Sequence, residues 1–254
     1  MTRMVDELLE QVVRLQVSLL ACRERMRAGT DDEALHDLRI AIRRLRSLLR
    51  PMRGVPACEA LENSAAEVGR LSSPLRDQEV LLAYLRKQGV TTGLADRQQR
   101  VQAGYERLLA SSSLRALFVA LDDWPARWFR ADAEGELKKL RSRVRRRLRK
   151  QQRRLLEALD DPAHDRHRLR LLIKRVRYGA DAYSAESTLS KPARTALKKA
   201  QSALGEWHDT IQWLGRAEVE ADLAPCVDTW RAASLRAQAR ADEVLQTLRG
   251  HLQG

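Results

Sequence analysis

The chain has 254 residues, 44% of them apolar and 32% charged, and Lys plus Arg outnumber Asp plus Glu by 47 to 34, a net charge of +13. Gly (12) and Pro (7) are scarce and good helix formers dominate, which excludes a β-rich, collagen-like or low-complexity protein. No run of about 18 apolar residues reads as a membrane span, and Asp6, Glu7, Glu10 and Arg14 break the N-terminal apolar pattern that a signal peptide needs. Cys22, Cys58 and Cys226 lie far apart in sequence and form no CxxC pair, so reduced thiols in a cytoplasmic protein are expected.

The spacing predicts about eight long helices and an all-α fold. The first runs from about Thr2 to Ala28 and stops at Gly29. Thr30 to Glu33 then supply a cap and an acidic first turn for a second helix, to about Arg50. Pro56 opens a third, to about Gln88, which Ser72-Ser73-Pro74 can kink or split. A fourth covers Gly93 to Leu109. A short helix, Ser112 to Leu121, leads into an irregular junction around Trp124, Pro125, Trp128 and Phe129. The second half repeats the plan. Its helices are expected over Glu134 to Leu159, from a cap at Asp160-Asp161-Pro162 to about Tyr183, over Pro192 to Glu220, and from Pro225 to Leu252. The expected division is residues 1–130 and 131–254, each a four-helix bundle.

Charge concentrates in the second half. Lys138 to Arg154 holds 11 basic residues in 17 with no acid, yet Leu137, Leu140, Val144, Leu148 and Leu155 keep a helical apolar seam. This predicts a basic amphipathic helix, not a disordered tail.

An internal repeat carries the most information. Leu35 to Arg46 reads LHDLRIAIRRLR, and Arg166 to Arg177 reads RHRLRLLIKRVR. On a helix, His36, Arg39, Arg43, Arg46 and Arg50 form one cationic stripe about 20 Å long, beside Leu35, Leu38, Ile42, Leu45 and Leu49. The second copy gives His167, Arg170, Lys174 and Arg177 beside Leu169, Ile173 and Val176. Like charges at this spacing repel, so an anionic ligand would relieve the stripe. A second echo places Leu75-Arg76-Asp77 and Trp207-His208-Asp209 at matching points in later helices. Asp77 and Asp209 read as supporting carboxylates that position a stripe arginine, or else as isolated metal ligands.

On these residues the chain resembles the CHAD family, the conserved histidine α-helical domain. Its signature is a helix of the form H-x-L-R-x-x-x-[RK]-R-x-R, present twice. Tyr178 follows the second copy as in the family, and Leu204-Gly205-Glu206-Trp207-His208-Asp209 fits its L-G-x-x-x-D element. Ser72 to Asp77 keeps the Arg-Asp but lacks the Leu-Gly. The resemblance implies two four-helix bundles related by pseudo-twofold symmetry, together one domain, whose basic helices line a shared channel or groove for inorganic polyphosphate. It also implies a stand-alone member, associated with polyphosphate granules. The polyphosphate-binding residues would be His36, Arg39, Arg43, Arg44, Arg46, His167, Arg170, Lys174, Arg175 and Arg177, followed by Arg50, Arg143, Arg147, Tyr178 and Lys198.

The chemistry of that ligand suits the residues. Polyphosphate carries about one charge per unit and no bases to stack, so it calls for arginine forks and not for aromatic platforms. With 2 Phe, 5 Trp and 4 Tyr, few aromatics interleave with the stripes. Nucleic acid is the alternative polyanion, and an accessory or hydrolase in polyphosphate metabolism the alternative activity. No GxSxG, HExxH, P-loop or GxGxxG occurs, so a binder and not an enzyme is expected. No cofactor, metal or membrane partner is called for: His164, His167 and His208 lie near acids, but basic neighbours would repel a divalent cation.

Overall fold

The computed structural model describes residues 3–253, and for Arg3 the backbone alone; the expected helix start at Thr2 lies outside them. The described elements are α1 (Arg3–Ala28), α2 (Ala34–Leu49), a 3-10 turn (Arg50–Met52), α3 (Pro56–Leu71), α4 (Ser73–Lys87), α5 (Leu94–Ala110), α6 (Ser112–Ala133), α7 (Leu140–Asp160), α8 (Arg166–Ala182), α9 (Lys191–Ala217), a second 3-10 segment (Ala221–Cys226) and α10 (Val227–Gln253). The fold is all-α, with no strand among the described residues. None of the described helices is long and apolar enough to cross a membrane. Cys22, Cys58 and Cys226 are buried thiols. The chain divides into two compact units, one up to Val144 and the other from Arg145, with the division inside α7.

In the first unit α1, α2, α3 and α6 pack in a ring, each against its neighbours, while α4 and α5 form a hairpin beside it. The region expected as an irregular junction is the continuous second part of α6, which passes through Pro125. The reason is packing. Leu114, Leu117, Phe118, Leu121, Trp124, Trp128 and Ala131 extend one buried stripe. The Trp124 and Trp128 rings stack at 4.9 Å, and the Trp128 indole N–H donates to the Val5 carbonyl at 3.2 Å. Burying two indoles outweighs the roughly 3 kcal/mol that an interior proline costs. Trp128→Ala is expected to lower unfolding free energy by about 3–5 kcal/mol, measured by urea denaturation, because it opens a large cavity in the core and removes the indole hydrogen bond.

Ser72-Ser73-Pro74 splits the long third helix into α3 and α4. Pro74 lies in the first turn of α4, where its missing N–H costs least. In the second unit the equivalent stretch, through Leu204-Gly205, has no such break, and α9 runs unbroken.

The second unit is α7 to α10 around one core. Leu155 and Ala158 of α7, Ile173 and Val176 of α8, Leu197 and Leu204 of α9, and Ala241 and Leu248 of α10 meet there. Alanines at 193, 196, 200 and 203 give α9 a flat buried face that admits close neighbours. The start of α8 differs from expectation. Asp165, not Asp160 or Asp161, caps it, its carboxylate accepting the Arg168 N–H at 2.8 Å. Asp161 instead accepts from Ala163 in the preceding turn. Along α7 the expected apolar seam is buried, and Arg145, Arg146, Arg147, Arg149, Lys150, Arg153 and Arg154 are exposed.

Candidate functional site

The α2 stripe lies at the edge of the first core. Leu35, Leu38, Ile42, Leu45 and Leu49 are fully buried, and that pins His36, Arg39, Arg43, Arg46 and Arg50 half-buried beside them. Arg39 reaches the break between α3 and α4, where its guanidinium donates to the Gly69 carbonyl at 3.1 Å, Ser72 Oγ at 2.8 Å and Ser73 Oγ at 3.4 Å. A helix that stops leaves carbonyls without backbone partners, and Arg39 satisfies one. At the far end, Arg46 Nε and Arg50 Nε both donate to Glu62 Oε1 at 3.2 Å, and Arg53 Nη2 reaches Oε2 at 3.4 Å. Glu62 is only 4% exposed. Burial would raise its pKa, but the Arg50 hydrogen bond and the Arg46 and Arg50 charges hold it below the usual carboxylate range. Three cations on one carboxylate leave that end of the stripe positive.

The stripe's first turns face α4. Arg76 donates to the buried carboxylate of Glu79 at 3.0 Å, which also accepts from Tyr105, and burial holds the Glu79 pKa high. Burial, followed by the charge of Arg76, pushes the His36 pKa down. Burial and the charge of Arg43 likewise depress Arg39, which the Asp77 carboxylate partly supports. Asp77 is exposed and acts through its field. Asp37, inside the motif, turns away from the stripe to pair with Arg25 of α1 at 2.8 Å. The first unit therefore gathers His36, Arg39, Arg43 and Arg76.

The second unit repeats that group on α8 and α9. His167 is exposed, and Arg170, Lys174 and Arg177 are half-buried. The His167 and His208 rings lie 5.0 Å apart, tilted by 44°. Burial, then Arg170, His167 and Lys174, push the His208 pKa down to about 4. Arg177 is held by α9 and its own helix: Nη1 donates to Gln201 Oε1 at 2.9 Å, Nε lies 3.7 Å from Asp181, and the guanidinium sits 4.9 Å from the Tyr178 ring centroid. Gln201 in turn donates to the Tyr178 hydroxyl at 3.1 Å. Asp209, beside His208, is half-buried.

The structure therefore brings together His36, Arg39 and Arg43 in one unit and His167, Arg170 and Lys174 in the other. It assigns Arg46 and Arg50 to Glu62, and Arg177 to Gln201. Arg44, Arg175, Arg147 and Lys198 are exposed, outside these groups. Arg143 is half-buried and its charge acts on Cys58, whose thiol burial pushes up to about 12. Sequence reasoning missed Arg76 and His208. The Leu75-Arg76-Asp77 and Trp207-His208-Asp209 echo contains both, but its shared Asp drew the eye to the carboxylate. Glu62 has no comparable signal. No cluster of three His, Cys, Asp or Glu among the described residues is placed to hold a metal ion.

Each quartet is a set of hydrogen-bond donors with excess positive charge on a rigid helix pair, suited to phosphate or another multivalent anion. A family model for the CHAD domain matches residues 11–218, which includes both quartets. The crystal structure of the CHAD domain from the plant Ricinus communis is similar, with TM-score 0.71 and 24% identity over 98% of this chain and 91% of that one. PptA from Streptomyces chartreusis is similar at TM-score 0.58 and 18% identity, over 98% of this chain and 99% of that one. These identities bear on the fold. A comparison with curated proteins found no match.

Proposed function

The chain belongs to the CHAD family, and on that premise we propose that it binds inorganic polyphosphate through the quartets His36, Arg39, Arg43, Arg76 and His167, Arg170, Lys174, His208. The observation that carries this reading is the recurrence of the same basic positions in both halves, half-buried except for the exposed His167. His36 and His208 both have depressed pKa values, with neighbouring cations among the causes. Mutual repulsion among cations at this spacing is a standing cost that an anion removes. Within the cell such a protein would target to polyphosphate granules or organise the polymer, binding it without catalysis.

A titration with polyphosphate of defined length, repeated across salt, tests this. Binding driven by counterion release gives an affinity that falls linearly on a log–log plot against salt, steeply if several cations are engaged. Absence of binding at low salt would reject the reading. One observation favours a second polyanion. Among the exposed α7 cations from Arg145 to Arg154, Arg153 pairs with Glu157 at 3.5 Å. Duplex DNA that displaces polyphosphate at equal phosphate concentration and physiological salt would favour nucleic acid. Shortening of the polymer in the presence of a divalent cation would turn the binder into a hydrolase.

A further inference from the structure

The two quartets match at three positions and differ in kind at the fourth. The residue set against the stripe histidine is Arg76 in the first half, whose charge acts on His36, and His208 in the second, whose ring lies 5.0 Å from His167. Arginine keeps its proton at any physiological pH, while histidine exchanges its proton near neutrality. One half therefore carries a permanent fourth charge, and the other a conditional one.

We propose that the second quartet is a proton-gated anion site, in which His208 takes up a proton as a phosphate oxygen enters beside His167, Arg170 and Lys174. This rests on the polyphosphate reading and adds regulation to it. In the free protein the charges that depress His208 are positive and come from α8: Arg170, His167 and Lys174. Of the other elements packed on α9, α10 has Arg240 engaged by Glu206 at 2.8 Å and Asp242 engaged by Arg166 at 2.9 Å. The second 3-10 segment carries a single charged residue, Asp222. On α9 itself the neighbouring acids are Glu206 and Asp209. The surroundings therefore favour a neutral imidazole until an anion arrives. A phosphate oxygen reverses the sign of the local field and accepts a hydrogen bond from the imidazolium.

The linkage runs one way. His208 is deprotonated in the free protein at neutral pH and protonated in the complex, so affinity rises as pH falls, by up to about tenfold per pH unit for one proton taken up. Without ligand the sign is opposite. A histidine depressed by folding makes the free protein less stable as pH drops below the ordinary histidine value, and polyphosphate offsets that loss.

The test uses the full chain and long-chain polyphosphate, whose internal phosphates stay ionised throughout, titrated from about pH 8 to about pH 5.5 at fixed salt. Wild type is expected to bind about tenfold more tightly at the acid end. His208→Arg is expected to bind more tightly than wild type at the alkaline end and to lose most of the slope. His208→Gln, similar in size and unable to titrate in this range, is expected to bind weakly with a shallower slope than wild type, so the inference stays testable if the arginine variant fails to fold. Wild-type binding that is independent of pH, or a His208→Gln slope equal to wild type, overturns the gate and leaves the binding reading standing. No binding by wild type at either pH rejects both.

Discussion

Changing Arg43, Arg170 and Lys174 together to Glu is expected to lower polyphosphate affinity at least about 100-fold while the far-UV helical signal stays at wild-type strength. Each of the three belongs to a quartet and sits half-buried on its helix. A partly solvated charge-assisted contact contributes about 1 kcal/mol, so losing three costs about 3 kcal/mol, or roughly 100-fold, before the new repulsion is counted. Arg39 and Arg76 are left intact by design. Arg39 satisfies the Gly69 carbonyl where α3 stops, and Arg76 satisfies the buried Glu79, so reversing either would confuse binding with folding. Equilibrium titration at low salt measures the loss, and a triple variant within threefold of wild type would show that the quartets are not the binding site.

Glu62→Gln carries the second large effect, this time on stability. The carboxylate is 4% exposed and is the shared partner of Arg46, Arg50 and Arg53. Removing one member of a buried ion pair costs about 3–5 kcal/mol. Here the arginine side chains are 24%, 28% and 62% exposed, so water screens part of the repulsion and about 2 kcal/mol is expected. Urea denaturation at neutral pH measures it. The sign with pH is fixed by the depressed Glu62 pKa: the carboxylate stabilises the fold above its unfolded pKa and stops doing so as pH falls through the lower folded value. The gap between wild type and variant should therefore close in acid. Polyphosphate should restore more stability to the variant than to wild type, since it supplies the anion that three unpaired arginines lack. A variant as stable as wild type at neutral pH would mean that Glu62 does not hold this end of the stripe.

The motif helices were readable because their apolar and cationic positions keep separate helical stripes. Leu35, Leu38, Ile42 and Leu45 dictate which side of α2 turns inward, and the arginines follow from that constraint. The Trp-rich part of α6 was misread for a local reason: Pro125 signals an ending, and nothing within a few residues shows that Trp124 and Trp128 have Val5 and each other to pack against. The start of α8 was misplaced by four or five residues because Asp160, Asp161 and Asp165 are all plausible caps. Only the backbone path selects Asp165. In the site, the same limit separates Arg43 from Arg46. The two look alike on the stripe, and the difference is that Arg46 meets a carboxylate from α3, sixteen positions away.

By itself the sequence determined an all-helical chain, its duplicated basic motif and a net positive charge, because those properties depend on periodicity and composition and need no partner residue. Tertiary structure alone decided which cations are spent on Glu62 and Gln201, and which stay gathered with Arg76 or His208. Charge on a side chain is local, but its availability depends on what a different helix places within about 3 Å of it.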